Sequence, residues 1–200
     1  MIHRRLALSL VLLAAGAAHG QSPRFGLQGT LSVPSADLKT VTSSGGYGVA
    51  LTLDILLSGG HVLRPRFDYI YYREKTTVDA FSFGSITYRT TDKYSINSAG
   101  LGLDYAYYTA GRPEGFYLLA GIHESRYEVK DTFSQSITGQ PTITDQNRDK
   151  TKNKLGYAVG LGYDFNRAWG AQLRLTSVDL ADGSDKTSFN AYNFGVTYKF

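Results

Sequence analysis

The chain has no cysteine, so it contains no disulfide framework, no thiolate metal site and no cysteine nucleophile. Charged residues are scarce, at 19% against roughly 25% in ordinary soluble domains. The excess of positive charge is slight, with 21 Lys and Arg against 17 Asp and Glu, and a net charge of +4 gives no footprint for nucleic acid. An apolar content of 42% is too high for a disordered chain. These absences predict a folded protein with no cofactor, no metal ion and no nucleic-acid partner.

Only one long apolar run is present, and it lies near the N terminus. Leu6–Ala18 is an almost wholly apolar stretch of 13 residues that follows Arg4 and Arg5, and small residues precede position 21. This arrangement is typical of a secretory signal peptide, and the run is shorter than the ~20 residues that a membrane-spanning helix needs. We therefore predict a signal peptide over 1–20 and one exported domain over 21–200.

The exported region is dominated by alternation with a period of two. Apolar residues occupy every second position in 47–57, 154–165 and 190–200, with small or polar residues between them. A helix requires spacings of three and four, so these segments are predicted to be strands. Eight strands are predicted, over 24–33, 47–57, 61–74, 94–108, 116–129, 154–165, 169–179 and 190–200.

The connections between these strands alternate in length. Short ones (58–60, 109–115 and 166–168) alternate with long polar ones (34–46, 75–93, 130–153 and 180–189). Short periplasmic turns and long outer loops are typical of an outer-membrane barrel. The predicted fold is all-β: an eight-stranded antiparallel up-and-down transmembrane β-barrel. Because 75–93 contains four large apolar residues, we interpret it as a hairpin of the third and fourth strands above the membrane; a ten-stranded barrel is the alternative.

The polar face of the strands indicates which side points inward. Glycine and alanine are frequent on it, as a narrow lumen requires, while aromatic residues gather at strand ends as in the girdles of membrane barrels. We therefore predict that its charged residues line the lumen: Arg64, Arg66, Asp68, Asp104, Asp164, Arg174 and Lys199. They form either a salt-bridge network that fills an eight-stranded barrel or a narrow polar pore, for which the inward glycines leave space.

The last predicted strand carries a family resemblance. Residues 191–200 read AYNFGVTYKF, which resembles the β-signal of Gram-negative outer-membrane proteins, and 116–122 (FYLLAGI) is similar to the fifth strand of small OmpA/OmpX-type barrels. The resemblance covers 21–200. It implies a place in the Gram-negative outer membrane among lipid and lipopolysaccharide, and insertion by the barrel assembly machinery. The residues that carry this assembly signal are Tyr192, Phe194, Val196, Tyr198 and Phe200.

One motif, His123-Glu124-Ser125, points to catalysis. The pair of His and Ser shares a strand face, and its spacing resembles that of the outer-membrane lipid A deacylases, small barrels with a His-x-Ser pair and a Glu. Those enzymes carry the pair late in the chain with Asn after the Ser, whereas here Arg126 follows on the fifth strand. Glu124 points to the other face and does not hold the base for a nucleophile. We predict no enzyme, and interpret the pair as a polar strand end above the membrane.

The leading hypothesis for function is a structural or surface-interaction protein. A monomeric, rigid barrel displays polar loops, above all 130–153, for contact with lipopolysaccharide or with host or matrix surfaces, since recognition usually lies in loops on a rigid scaffold. Three alternatives stay open: a narrow channel for ions or small solutes, a lipid A-modifying enzyme and a soluble lipocalin-like carrier.

Overall fold

Nine strands and one short helix make up the protein in a computed structural model, which describes residues 23–42, 45–146, 150–182 and 185–200. In chain order they are β1 (Arg24–Ala36), α1 (Leu38–Val41), β2 (Gly46–Leu56), β3 (His61–Phe83), β4 (Ile86–Tyr108), β5 (Gly115–Ile137), β6 (Ile143–Gln146), β7 (Lys150–Asp164), β8 (Trp169–Asp182) and β9 (Asp185–Lys199). The predicted signal peptide, 1–20, lies outside the described residues.

Eight of the strands form a closed antiparallel ring. Each pairs with its neighbour in the order β1, β2, β3, β4, β5, β7, β8, β9, and β9 pairs back onto β1, with Leu27 opposite Tyr198. β6 lies outside the ring and pairs with the upper part of β5. The predicted eight-stranded barrel is therefore confirmed, and the ten-stranded alternative is wrong because the additional residues of 75–93 extend two ring strands.

Burial alternates along the strands with polar residues inside and apolar residues outside. In β1, Gln28 is 2% exposed and faces the lumen, whereas Leu31 is 64% exposed on the outer surface. The same reversal holds around the ring. The exposed apolar band is about nine residues tall, which is close to the 9–11 residues of a transmembrane strand. Aromatic side chains such as Tyr163 and Trp169 lie at its edge. A soluble barrel would bury its apolar side chains, so this surface fits lipid.

Three strands are much longer than the period-two pattern predicts. β3, β4 and β5 have 23 residues each. Pairing of β2 with β3 stops at Gly46 opposite Tyr72, whereas pairing of β3 with β4 passes a bulge between Tyr72 and Lys75 and continues to Phe83 opposite Ile86. The interpretation of 75–93 as a hairpin of the third and fourth strands is thus confirmed, with a tight turn at Gly84, whose φ is +62°.

We call the part of these strands beyond the ring the outer sheet: residues 75–83, 86–94, 130–137 and 143–146. Nine residues of strand rise about 30 Å at ~3.3 Å per residue. The prediction that 130–153 is one long loop is wrong, because 130–137, 143–146 and 150–153 are all strand. Its polar composition concealed this, since Ser and Thr suit an exposed pleated sheet as well as a loop.

Two apolar clusters pack inside the barrel, one near each end. The lower end is the one with the short turns and Phe200, and its cluster contains Leu56, Val62, Ala106, Tyr108, Tyr117 and Leu119. The upper cluster contains Leu38, Tyr72, Ile96, Tyr127, Val178, Phe189 and Ala191. Polar side chains occupy the space between the two clusters.

Helix α1 belongs to the upper cluster rather than to a solvent-exposed loop. Leu38 is fully buried there, and Thr42 Oγ1 donates to the carbonyl oxygen of Leu38 at 2.9 Å. Asp37, just before the helix, accepts a hydrogen bond from the backbone N–H of Ser188 at 2.8 Å on its Oδ2. The first upper connection therefore folds into the mouth of the barrel. Within the described ranges, no helix has the length and apolar character of a membrane span.

Candidate functional site

The lower half of the lumen holds four charged side chains in contact, which we call the lower charge cluster: Asp54, Arg64, Asp164 and Lys199. Arg64 Nε lies 2.5 Å from Asp54 Oδ1. Lys199 Nζ bridges the two acids, at 2.9 Å from Asp54 Oδ2 and 2.6 Å from Asp164 Oδ2. The two positive and two negative charges of the cluster cancel, which offsets the cost of removing each ion from water.

Neutral side chains add further hydrogen bonds to this cluster, although Asp164 Oδ1 has no partner among the described residues. Tyr108 donates its hydroxyl to Asp164 Oδ2 at 2.6 Å, and Arg64 Nη1 donates to Gln172 Oε1 at 3.2 Å. The Arg64 guanidinium also lies over the Tyr117 ring, 5.1 Å from its centroid. These contacts tie five ring strands together across the lumen.

The middle of the lumen holds the upper charge cluster: Arg66, Asp68, Asp104 and Arg174. Asp104 is 0% exposed and accepts from Arg66 Nη1 at 3.2 Å and from Arg174 Nη2 at 3.0 Å. Arg66 also pairs with Asp68, and Arg174 Nη1 lies 4.0 Å from Asp68 Oδ2. This cluster is again neutral as a whole.

A small polar pocket lies above the upper charge cluster. Its volume is about 30 Å³ and its lining includes Arg66, His123, Ser125, Arg174 and Asn193. That volume has room for a water molecule or two and no more. Within the part of the chain that the structure describes, His123 Nδ1, Arg174 Nε and Asn193 Oδ1 have no hydrogen-bond partner.

The interpretation of His123 and Ser125 as a polar strand end is wrong. Both side chains are 5% exposed and point from β5 into the lumen of the barrel. β5 continues far beyond them to Ile137. Glu124 faces outward, as the alternation predicts. The pair therefore lies in the barrel interior beside the pocket.

The pore alternative requires the inward glycines to leave open space in the lumen, and neighbouring atoms fill that space. A Cβ at Gly195 would lie 1.8 Å from Gln28 Nε2, and one at Gly162 would lie 2.3 Å from Tyr117 Cζ. Long side chains from neighbouring strands thus occupy the space beside these two glycines, whereas at Gly160 the neighbouring backbone of Leu173 and Arg174 leaves no room for a side chain. Glycine at these positions permits a filled lumen.

The structure places all seven predicted lumen residues in the interior and divides them between the two charge clusters. Asp54 was absent from the prediction, although it occupies the polar face of β2 beside Thr52, and the alternation alone indicates it. Tyr108 was also missed, because a tyrosine at a strand end is typical of the lipid-facing girdle. The five residues of the predicted assembly signal all face outward and are exposed.

Across the described ranges, His, Asp and Glu side chains form no group of three or more that could hold a metal ion.

Comparison with known families decides the identity of the fold. A family model described as the outer membrane protein beta-barrel domain matches residues 6–200. The chain belongs to this family. The predicted location in the outer membrane and the family resemblance of the last strand are thereby confirmed, and the lower and upper ends of the barrel are the two rims of a transmembrane β-barrel.

Several solved outer-membrane structures are similar to this family member. Neisserial surface protein A is 14% identical with a TM-score of 0.49, covering 89% of this chain and 97% of its own. Ail of Yersinia pestis is 12% identical with a TM-score of 0.48, again over 89% and 97%. OprG of Pseudomonas aeruginosa is 13% identical with a TM-score of 0.45, over 92% and 98%. No curated protein sequence gives a significant match.

Proposed function

We propose that this outer-membrane barrel is a non-catalytic structural and surface-interaction protein. The barrel is a closed support, and the outer sheet is the part that meets lipopolysaccharide, host or matrix surfaces. The observation that carries this proposal is the extension of β3, β4 and β5 to 23 residues each. A transmembrane strand needs only about 9–11 residues, so the remaining length serves something outside the membrane.

The filled lumen favours the structural role of the barrel over the channel alternative. Eight charged side chains pair into two neutral clusters, apolar clusters pack toward both ends, and the pocket between them has a volume of only about 30 Å³. We propose that the charge network fills the barrel and fixes the strand register. A narrow channel would need these pairs to separate, which costs several kcal/mol for each uncompensated buried ion.

Conductance of the refolded protein in a planar bilayer separates these two functions. We expect no discrete current steps from protein whose heat-shifted gel band shows a folded barrel. Steps whose ion selectivity changes with Arg66→Glu or Arg174→Glu would contradict the proposal and make the protein a channel. Release of acyl chains from lipid A that depends on His123 would instead make it an enzyme.

The surface role is tested by shortening the outer sheet. Glu128 lies opposite Thr151 in the pairing of β5 with β7, so deletion of 133–150 leaves those two positions joined by a four-residue connection. Cells that carry the deletion should lose adhesion to a basement-membrane extract, while the barrel still inserts. A Gly-Ser segment of the same length as 133–150 is the control, and it should fail like the deletion. Full adhesion by either variant, or loss of insertion, would contradict the division between barrel and outer sheet.

A further inference from the structure

The two faces of the outer sheet differ in chemistry. The strands of the outer sheet keep the alternation of the ring strands below them. The face that continues from the buried side chains of Tyr127 and Ile96 is called the inner face. It carries Phe133 on β5 and Tyr88 and Ile86 on β4. The bulge after Tyr72 changes the alternation of β3, so pairing places Phe81 opposite Tyr88 and Phe83 opposite Ile86 on this same face. The other face carries mainly Ser and Thr.

The inner face carries several large apolar side chains that nothing in the described part of the chain covers. Phe81 is 67% exposed and Phe83 is 76% exposed, and Ile86, Tyr88, Phe133 and Ile143 are also exposed. Lower on the same face, the upper apolar cluster is covered by Leu38 and Phe189. Large apolar side chains thus lie exposed on the upper part of the inner face, and rows that contain Lys75, Asp92 and Asp131 separate them from the cluster in the barrel mouth. Apolar patches of this kind on a soluble surface usually mark an interaction site.

The inner face carries Lys75 and Asp131 in its lowest row, and above that row its charge has one sign. Above the row of Lys75, Tyr94 and Asp131, the charged side chains of the inner face that the structure describes belong to Asp79 and Asp92. Asp92 lies opposite Phe133, and Asp79 lies two residues from Phe81 on the same strand. The opposite face has the basic residues Arg89 and Lys93, and Lys93 Nζ lies 3.9 Å from Glu74 Oε1.

We propose that the inner face of the outer sheet is a docking surface for a cationic amphipathic peptide segment of a partner protein. Apolar side chains of the segment would cover Phe81, Phe83 and Tyr88, and its Lys or Arg side chains would meet Asp79 and Asp92. A second copy of this chain docked through the same face would bring these carboxylates together, which disfavours that occupant. This proposal rests on the proposed surface function and specifies its partner.

The test uses the whole barrel in phosphatidylcholine nanodiscs and two fluorescent peptides, one of alternating Lys and Leu and one of alternating Glu and Leu. Fluorescence anisotropy, corrected with empty nanodiscs, should show binding of the Lys-Leu peptide that weakens as salt is added. Asp79→Asn combined with Asp92→Asn should weaken binding roughly threefold to tenfold, as expected for two exposed ion pairs. Phe81→Thr combined with Phe83→Thr should weaken it by about tenfold or more, because most of the apolar contact is lost.

Matched controls lie on the opposite face. Val78→Thr and Glu128→Gln should leave Lys-Leu binding unchanged, and a heat-shifted gel band verifies that each variant is folded. Equal binding of the Glu-Leu peptide, or unchanged binding by both inner-face variants, would overturn the proposal. So would concentration-dependent self-association in analytical ultracentrifugation that Phe81→Thr abolishes, because a second copy would then be the occupant.

The two proposals fail in different ways. If the deletion of 133–150 abolishes adhesion but the Lys-Leu peptide does not bind, the surface function stands and the cationic partner is wrong. If the peptide binds but the refolded barrel conducts, the docking surface stands and the closed-barrel function is wrong.

Discussion

At the scale of single residues, the interior is organised by charge pairing. A charged side chain inside a membrane barrel is stable only when a partner of opposite charge compensates the lost hydration. Asp104 shows this most clearly, because it is completely buried and one arginine binds each of its two oxygens. Surface pairs such as Arg126 with Glu128 have no such requirement, since water solvates both ions.

Removal of Asp104 should therefore be far more costly than removal of an exposed acid. Asp104→Ala leaves two buried arginines, Arg66 and Arg174, with Asp68 as the one acid of their cluster, and the expected loss in the free energy of unfolding is about 3–5 kcal/mol. Denaturant unfolding of the refolded barrel in lipid vesicles measures it. The control is Glu128→Ala, whose carboxylate lies 3.1 Å from Arg126 with side chains 45% and 57% exposed, and it should cost at most ~1 kcal/mol. Equal losses in the two variants would show that the interior pairs do not hold the barrel together.

At the scale of elements, α1 and the outer sheet determine what the barrel presents at its upper end. α1 has only four residues, and it forms because the buried Leu38 anchors it among the side chains of the upper apolar cluster. The strands of the outer sheet extend because each supplies backbone partners to the next. α1 does not follow from its own sequence pattern, whereas the apolar residues of 75–93 predicted the hairpin of β3 and β4, and the polar composition of 130–146 concealed the strands there.

Leu38→Ala should remove the anchor of α1. Truncation of a buried leucine costs about 2–5 kcal/mol, so the midpoint of denaturant unfolding should fall, while the planar bilayer should stay silent because the lower apolar cluster is unchanged. The adjacent Lys39 is exposed, and Lys39→Ala should leave the midpoint where it is. Current steps from Leu38→Ala alone would mean that α1 is the main closure of the lumen.

At the scale of the whole molecule, the ring closes beside the residues of the predicted assembly signal. Phe200 stacks on Phe25 with ring centroids 6.4 Å apart, and its backbone N–H donates to the carbonyl oxygen of Phe25 at 2.9 Å. Phe200 therefore has two roles to separate, a contact in the folded barrel and the recognition by the assembly machinery that the family resemblance implies.

Phe200→Ala and Phe25→Ala remove the same ring contact from opposite sides. Both variants lose the stacking of Phe25 on Phe200, and Phe200→Ala also loses a tilted contact with the Tyr198 ring at 6.2 Å between centroids. Because these rings are exposed, refolding of the purified variants into lipid vesicles should be affected to a similar extent. In cells, only Phe200→Ala should reduce the amount of heat-shifted barrel in the outer membrane, by roughly tenfold if one residue of an interface anchor contributes about 1.4 kcal/mol. Equal losses of the two variants in cells would assign Phe200 a packing role alone.

The amino-acid sequence by itself determined the strands, their inward and outward faces and the location in the outer membrane. Period-two alternation is a local property, so it assigns Arg64 and Asp104 to the lumen and Leu31 and Phe194 to lipid without knowledge of any partner. The C-terminal pattern is likewise local. The same reasoning predicted a strand end at His123, because alternation gives a face and does not show how far a strand continues.

Only the tertiary structure decided which residues meet and how far the strands extend. The partners of Asp104 come from β3 and β8, which are 38 and 70 residues away in sequence. The polar stretch of β5 is strand rather than loop because β4 and β6 hydrogen-bond to it. The inner face of the outer sheet exists because a single bulge after Tyr72 turns Phe81 and Phe83 to the side of Tyr88. Pairing between distant strands produces all three features, and no local pattern records that pairing.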